Sequence, residues 1–212
     1  MRRRTQGFTL IEIMVVIAII AGLVTAVAVM VPKMQETQRK TSCMGNLGQL
    51  GGVFLTRKME NPARATKYSG VALWLSYRKD GSDVRRGDEK ALWCPGDNGV
   101  QLPANDDEKK KWDNVDLDNP QDGLCSYAAR DFKNAQLNIE SKDKEIIGCD
   151  RQGSNGHTMQ HKGGICIVYD AGDAGFLLRE ELGVSAEEDV AIGAEAKDPR
   201  LQKVVYIAKK HD

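Results

Sequence analysis

The chain has 212 residues, 41% of them hydrophobic, and its 30 basic and 30 acidic side chains give a formal net charge of zero. This is enough for one ordinary domain plus an appendage. No basic stretch interleaved with aromatics occurs, and Lys109, Lys110 and Lys111 sit beside Asp106, Asp107 and Glu108 as a solvated run, so nucleic acid is not an expected partner.

The apolar residues are concentrated at the start of the chain. Arg2, Arg3 and Arg4 come first, and from Phe8 to Val31 the only charge is Glu12. A helix of that length rises roughly 36 Å, enough to cross a hydrocarbon core of about 30 Å with some tilt. The positive-inside rule keeps the arginines in the cytoplasm and sends the rest across. Three of the 30 basic residues lie in this leader, leaving 27 against 30 acidic ones, so the exported part is mildly acidic. The segment is longer than a signal-peptide core and no small-x-small cleavage site follows it before Pro32. A carboxylate inside a membrane helix costs about 2.5–3.5 kcal/mol on insertion scales, so Glu12 requires a partner.

The stretch Arg4-Thr5-Gln6-Gly7-Phe8-Thr9-Leu10-Ile11-Glu12 resembles the prepilin cleavage and methylation motif of type IV pilins and type II secretion pseudopilins. The resemblance implies cleavage by prepilin peptidase between Gly7 and Phe8 and N-methylation of Phe8. It also implies an assembly role for Glu12, paired with the N-terminal amine of a neighbouring pilin or pseudopilin subunit. The divisions implied are a leader at 1–7, a transmembrane or filament-core helix at 8–31, its amphipathic continuation at 32–60, and a pilin-like soluble domain at 61–212. The expected location is the inner membrane, single-pass, with the soluble domain periplasmic or extracellular.

Pro32 should kink or locally open the helix. Beyond it Met34, Thr37, Thr41, Met44, Leu47, Leu50 and Phe54 recur at spacings of three or four, which predicts an amphipathic helix to about Leu55. Gly45, Gly48, Gly51 and Gly52 weaken it, or mark the close approach of another element. From about Asn61 to Gly156 the chain is rich in turn residues and reads as a loop-rich insertion, with Trp74 and Trp93 packing on the helix. The clearest sheet signal is a hairpin, Ile165 to Tyr169 and Gly175 to Leu178, with a further strand at Val204 to Ala208. The expected class is α+β: a long N-terminal helix packed on a small antiparallel sheet.

Four short segments, Cys43-Met44-Gly45-Asn46-Leu47-Gly48-Gln49-Leu50-Gly51, Cys94-Pro95-Gly96-Asp97, Ser126-Tyr127-Ala128 and His161-Lys162-Gly163-Gly164, are similar in kind and order to those of a pilin-like family abundant in planctomycetes. That family ends its late strand Ala-Asp-Gly, whereas here Tyr169-Asp170-Ala171-Gly172 exchanges the alanine and aspartate. Because Cys43 and Cys94 fall in these segments, they are the disulfide candidates, with Cys94–Cys125 as runner-up; five cysteines cannot all pair. The absence of a Cys-x-x-Cys pair argues against structural zinc.

No catalytic motif occurs around the three histidines, His157, His161 and His211, and no enzyme is expected. Cofactors are expected to be none, with calcium the one ion considered. Asp113, Asp116, Asp118 and Asp122 form an oxygen-rich loop whose spacing does not match an EF-hand and which reads as a solvated acidic loop. His161 with Asp170 and Asp173 offers metal-ligand types, although a histidine opening a hairpin is the commoner use of such a residue. The function expected is a structural subunit of a type IV pilus-like or type II secretion pseudopilus filament. The alternative is a membrane-anchored binding module for a polysaccharide or secreted protein.

Overall fold

The structure is a computed structural model that describes residues 9–79, 89–97, 103, 107, 110, 114–120, 123–138, 143–150, 161–185 and 188–206. Gly7, Phe8, Asp113 and Asp122 lie outside them, as do Ile207 and Ala208 at the end of the expected last strand. The chain divides into two units, residues 1–38 and residues 39–212.

The helix α1, Leu10–Glu60, runs on through Pro32, as the sequence led us to expect, and ends five residues beyond the expected Leu55. From Leu10 to Val31, within the first unit, it is apolar all round apart from Glu12 and Thr25 and exposed on every side, with Leu10, Ile17, Leu23 and Met30 all open. Thr25 turns its hydroxyl back to the Ala21 carbonyl at 2.8 Å, so its polar group is satisfied inside its own helix.

In the second unit α1 behaves as an amphipathic helix. Cys43, Leu47, Leu50, Gly51, Phe54 and Arg57 are buried, at spacings that place them on one face. The buried face begins at Cys43: Met34, Thr37 and Thr41, included in the expected stripe, are exposed. The guanidinium of Arg57 lies 4.4 Å over the Tyr77 ring and 3.4 Å from the Ser76 hydroxyl. Gly51 is the point of closest approach, because a Cβ there would lie 2.9 Å from the Gly172 carbonyl oxygen. Gly45 and Gly52 face open space.

Two short helices start in the same way. Asn61 caps α2 (Pro62–Ala65) and Asp198 caps α4 (Pro199–Gln202), each with proline in the first turn, where its missing N–H costs nothing. Between them α3 (Val71–Lys79) packs on the sheet.

The sheet is fully antiparallel, in the order β4-β3-β2-β1-β5, with β1 Tyr127–Arg130, β2 Ile146–Asp150, β3 Gly164–Tyr169, β4 Ala174–Leu178 and β5 Val204–Val205. The expected hairpin is β3 and β4, turned by Gly172 at φ +86°. The expected last strand is β5, a two-residue edge. The middle of the sheet corrects the sequence reading, since β1 and β2 both fall in the stretch taken as a loop-rich insertion. Every residue of β1 and β2 is buried. Trp74 packs against these strands: its indole N–H donates to the Ala128 carbonyl at 3.0 Å, and a Cβ on Gly148 would collide with its ring.

A buried arginine organises the far end of the sheet. Arg130 Nε and Nη2 donate to the carbonyls of Ala135 and Gln136 at 2.6 and 2.8 Å, and Nη2 lies 3.1 Å from Glu145 Oε2. Burial alone would raise the Glu145 carboxyl, but the Asn138 amide, Arg130 and Lys203 outweigh it and hold Glu145 below the ordinary carboxylate value.

Candidate functional site

Two features stand out, one in each unit. At the start of α1, Glu12 Oε2 accepts the backbone N–H and the hydroxyl of Thr9, both at 2.7 Å, while the Glu12 amide faces Thr9 Oγ1 at 3.4 Å. This is a capping box, in which Thr9 and Glu12 each satisfy a donor left over at the helix start. Glu12 therefore has a local partner, and its side chain remains exposed at the mouth of the helix.

The second feature is a buried cluster made from the short segments singled out in the sequence. Cys43 opens the buried face of α1. One turn on, Asn46 donates its side-chain amide to the Lys90 and Trp93 carbonyls at 3.0 and 2.7 Å, fixing the short 3-10 turn Glu89–Leu92 against the helix. The Ser126 amide and the Tyr127 hydroxyl hold the same segment from the sheet, at Leu92 and Trp93. Cys94 follows directly, in a turn closed by the Asp97 amide on the Cys94 carbonyl with Pro95 at its second position. His161 precedes β3, Cys166 lies within β3, and Asp150 ends β2.

These side chains converge. The Cys43 thiol donates to Asp150 Oδ1 at 2.7 Å and the Cys166 amide donates to Asp150 Oδ2 at 2.9 Å. Cys94 Sγ lies 3.2 Å from His161 Nε2, and His161 Nε2 lies 3.9 Å from Asp150 Oδ2. Cys166 and Cys94 are near enough to Cys43 to help raise its thiol. The donor atoms of Cys43, Asp150, His161 and Cys166 all fall within 4.8 Å of one another. Each of the five side chains is buried.

The electrostatics polarise one pair. Contact with Cys43 lowers the Cys94 thiol, against burial, with help from His161 and from the Gly96 amide 3.4 Å from its sulfur. Burial opposes charge on His161, yet Cys166, Cys94 and Asp150 raise it to about 11. Burial raises Cys43 and Asp150. Cys94 and His161 thus lean toward a thiolate–imidazolium pair.

Cys43 and Cys94 meet, but as thiols rather than as a disulfide; all five cysteines are free, including Cys125. His161 is placed with cysteines and Asp150, not with Asp170 and Asp173. Asp170 instead pairs with Lys58 of α1 at 2.8 Å and accepts the Glu145 amide at 3.1 Å, which ties the β3–β4 turn to the helix. Asp173 pairs with Lys144 at 2.8 Å. Asp116 and Asp118 are exposed, and Asp116 accepts the Asp118 amide at 3.0 Å. Sequence reasoning passed over Cys166, Asp150 and Asn46 as members of a site. The one signal for Asp150 was an acid closing the apolar run Ile146-Ile147-Gly148-Cys149.

Comparison with known families finds the prokaryotic N-terminal methylation motif at residues 2–28. No curated protein and no solved structure matches the chain. The methylation motif is the kind carried by pilin-like proteins, and it lies over the helix segment long and apolar enough to cross a membrane.

Proposed function

We propose that the chain is a structural subunit of a type IV pilus-like or type II secretion pseudopilus filament, matured by prepilin peptidase between Gly7 and Phe8 and methylated on Phe8. The observation that carries this reading is the methylation motif at residues 2–28, set on a helix that is apolar and exposed all round. Such a surface suits either lipid or the same surface of other subunits, and one helix serves first as membrane anchor and then as filament core. Arg2, Arg3 and Arg4 favour an inner-membrane orientation with residues beyond the helix outside the cytoplasm. In this reading Glu12, exposed at the helix mouth, pairs with the amine of a neighbouring subunit's Phe8, and its exposure supports that role.

Intact-mass analysis of the membrane-extracted protein tests the processing. The expected result is loss of residues 1–7 and one added methyl group, with Gly7→Val blocking both. A mature chain that still starts at Met1, or one that starts beyond Val31, overturns the reading.

A further inference from the structure

We propose that Cys43, Cys94, His161 and Cys166 form a closed, structural zinc site in which three thiolates and one imidazole hold the ion and Asp150 orients two of the cysteines. Tetrahedral zinc with bonds of about 2.3 Å to sulfur and about 2.0–2.1 Å to nitrogen puts the sulfurs about 3.8 Å apart and nitrogen about 3.5 Å from sulfur. Cys94 Sγ and His161 Nε2 stand at 3.2 Å, and the donor atoms of Cys43, His161 and Cys166 lie within 4.8 Å of one another. Cys94 joins the group through His161, and closing on an ion requires the donors to draw together from these separations.

The chemistry of the donor set selects the ion. Three sulfurs and a nitrogen suit zinc, whereas calcium and magnesium take oxygen. All four donors are fully buried, so no coordination position opens to solvent, as in structural rather than catalytic sites. Asp150 remains outside the tetrahedron, with Oδ2 held by the Cys166 amide and Oδ1 facing Cys43 Sγ. When zinc binds, the Cys43 proton passes along this hydrogen bond to Asp150 Oδ1, which then donates back to the thiolate; two further protons leave the other ligands, and the zinc with its three thiolates carries one negative charge. The Gly96 amide aimed at Cys94 Sγ supplies part of the stabilisation that a thiolate needs.

A disulfide is the competing use of these residues. Joining Cys43 to Cys94 would use two of the thiols and leave Cys166, His161 and Asp150 buried together without the cation that unites them. An ion satisfies the whole cluster at once, and it links α1, the turn after the 3-10 helix and β3, which lie far apart in sequence.

The test uses the reduced full-length chain in detergent, freed of metal and titrated with Zn²⁺ or Co²⁺. One equivalent should bind. Co²⁺ should show tetrahedral ligand-field bands and a thiolate-to-cobalt charge-transfer band. Cys94→Ser should lower that band by about one third and weaken Zn²⁺ binding by more than the roughly 10–100-fold typical of losing an outer partner. Asn46→Ala should fall within that range, because it touches only the segment that positions Cys94. His161→Cys should keep binding but shift the cobalt spectrum, which separates ligand loss from misfolding. Cys125→Ser should leave stoichiometry and spectrum unchanged. No saturable binding by the wild-type chain, an unaltered cobalt spectrum in both Cys94→Ser and Cys166→Ser, or a Cys43–Cys94 disulfide in protein extracted without reductant would each overturn the proposal.

Discussion

The two halves of α1 share one backbone conformation and differ in what their side chains meet. Leu23, in the first unit, is 62% exposed, whereas Leu47, in the second, is fully buried. Up to the middle of the helix the apolar residues run all round and find nothing within their own unit. From Cys43 onward they occupy one face and close a core with the sheet. A helix apolar all round is built for contacts outside its own chain, and a one-sided helix is built for contacts within it. Substitutions in the first half should therefore register in assembly, and those in the second in stability.

The largest effect expected from this contrast is at Glu12. Glu12→Gln retains a residue able to complete the capping box with Thr9 but removes the charge. Cleavage and membrane insertion should persist while filament incorporation is lost, as scored by electron microscopy and by sedimentation of sheared filaments. Filaments of normal abundance from the glutamine variant would remove the proposed pairing with Phe8 and leave Glu12 as a helix cap.

Core truncations come next. Trp74→Ala removes a fully buried indole and its hydrogen bond to Ala128, and should cost about 3–5 kcal/mol in chemical denaturation followed by near-ultraviolet circular dichroism. Leu23→Ala, in the open half of α1, should leave the same transition within about 0.5 kcal/mol. Equal losses in the two variants would break the division between the halves.

Glycines sharpen the comparison at smaller scale. Gly51→Ala forces a methyl group toward the Gly172 carbonyl and should cost about 1–3 kcal/mol. Gly52→Ala, one residue away in open space, should instead stabilise by about 0.5–1 kcal/mol. Opposite signs at adjacent positions, read as shifts in the denaturation midpoint, are the expected signature of one packed face.

The smallest effect is the acid sensitivity of Glu145. Its carboxyl is lowered in the folded state, so its contribution is complete above the ordinary carboxylate value and is lost as pH falls through the folded value. Stability of the wild-type domain should decline below about pH 5 more steeply than that of Glu145→Gln. Parallel pH profiles would mean that the ion pairs to Arg130 and Lys203 contribute nothing through this residue.

Much of the architecture was legible from local patterns. An apolar run of membrane length, a stripe at helical spacing and a hairpin around a Gly/Asp turn are set by contacts a few residues apart, and the structure has each of them. Even the close approach suspected at the helix glycines occurs, at Gly51. The central strands were not legible for a physical reason. Tyr127–Arg130 and Ile146–Asp150 are short and buried at every position, so they show no alternation, and Arg130 and Asp150 look like surface charges until their buried partners are known.

The cysteine and histidine cluster shows the same limit more sharply. The N-terminal motif was legible through its resemblance to prepilin motifs, because all of its residues lie in one continuous stretch of chain. Cys43, Cys94, Asp150, His161 and Cys166 carry no spacing signature. Local ligand pairs such as Cys-x-x-Cys arise when one turn supplies two donors, whereas here the donors come from a helix, a turn and two neighbouring strands of the sheet. Their meeting depends on the antiparallel pairing of β2 with β3, which sets the Cys166 amide against Asp150, and on α1 lying over that sheet with Cys43 turned inward. Strand register and helix docking are decided by burial summed over the whole domain, and no short window of sequence contains that sum.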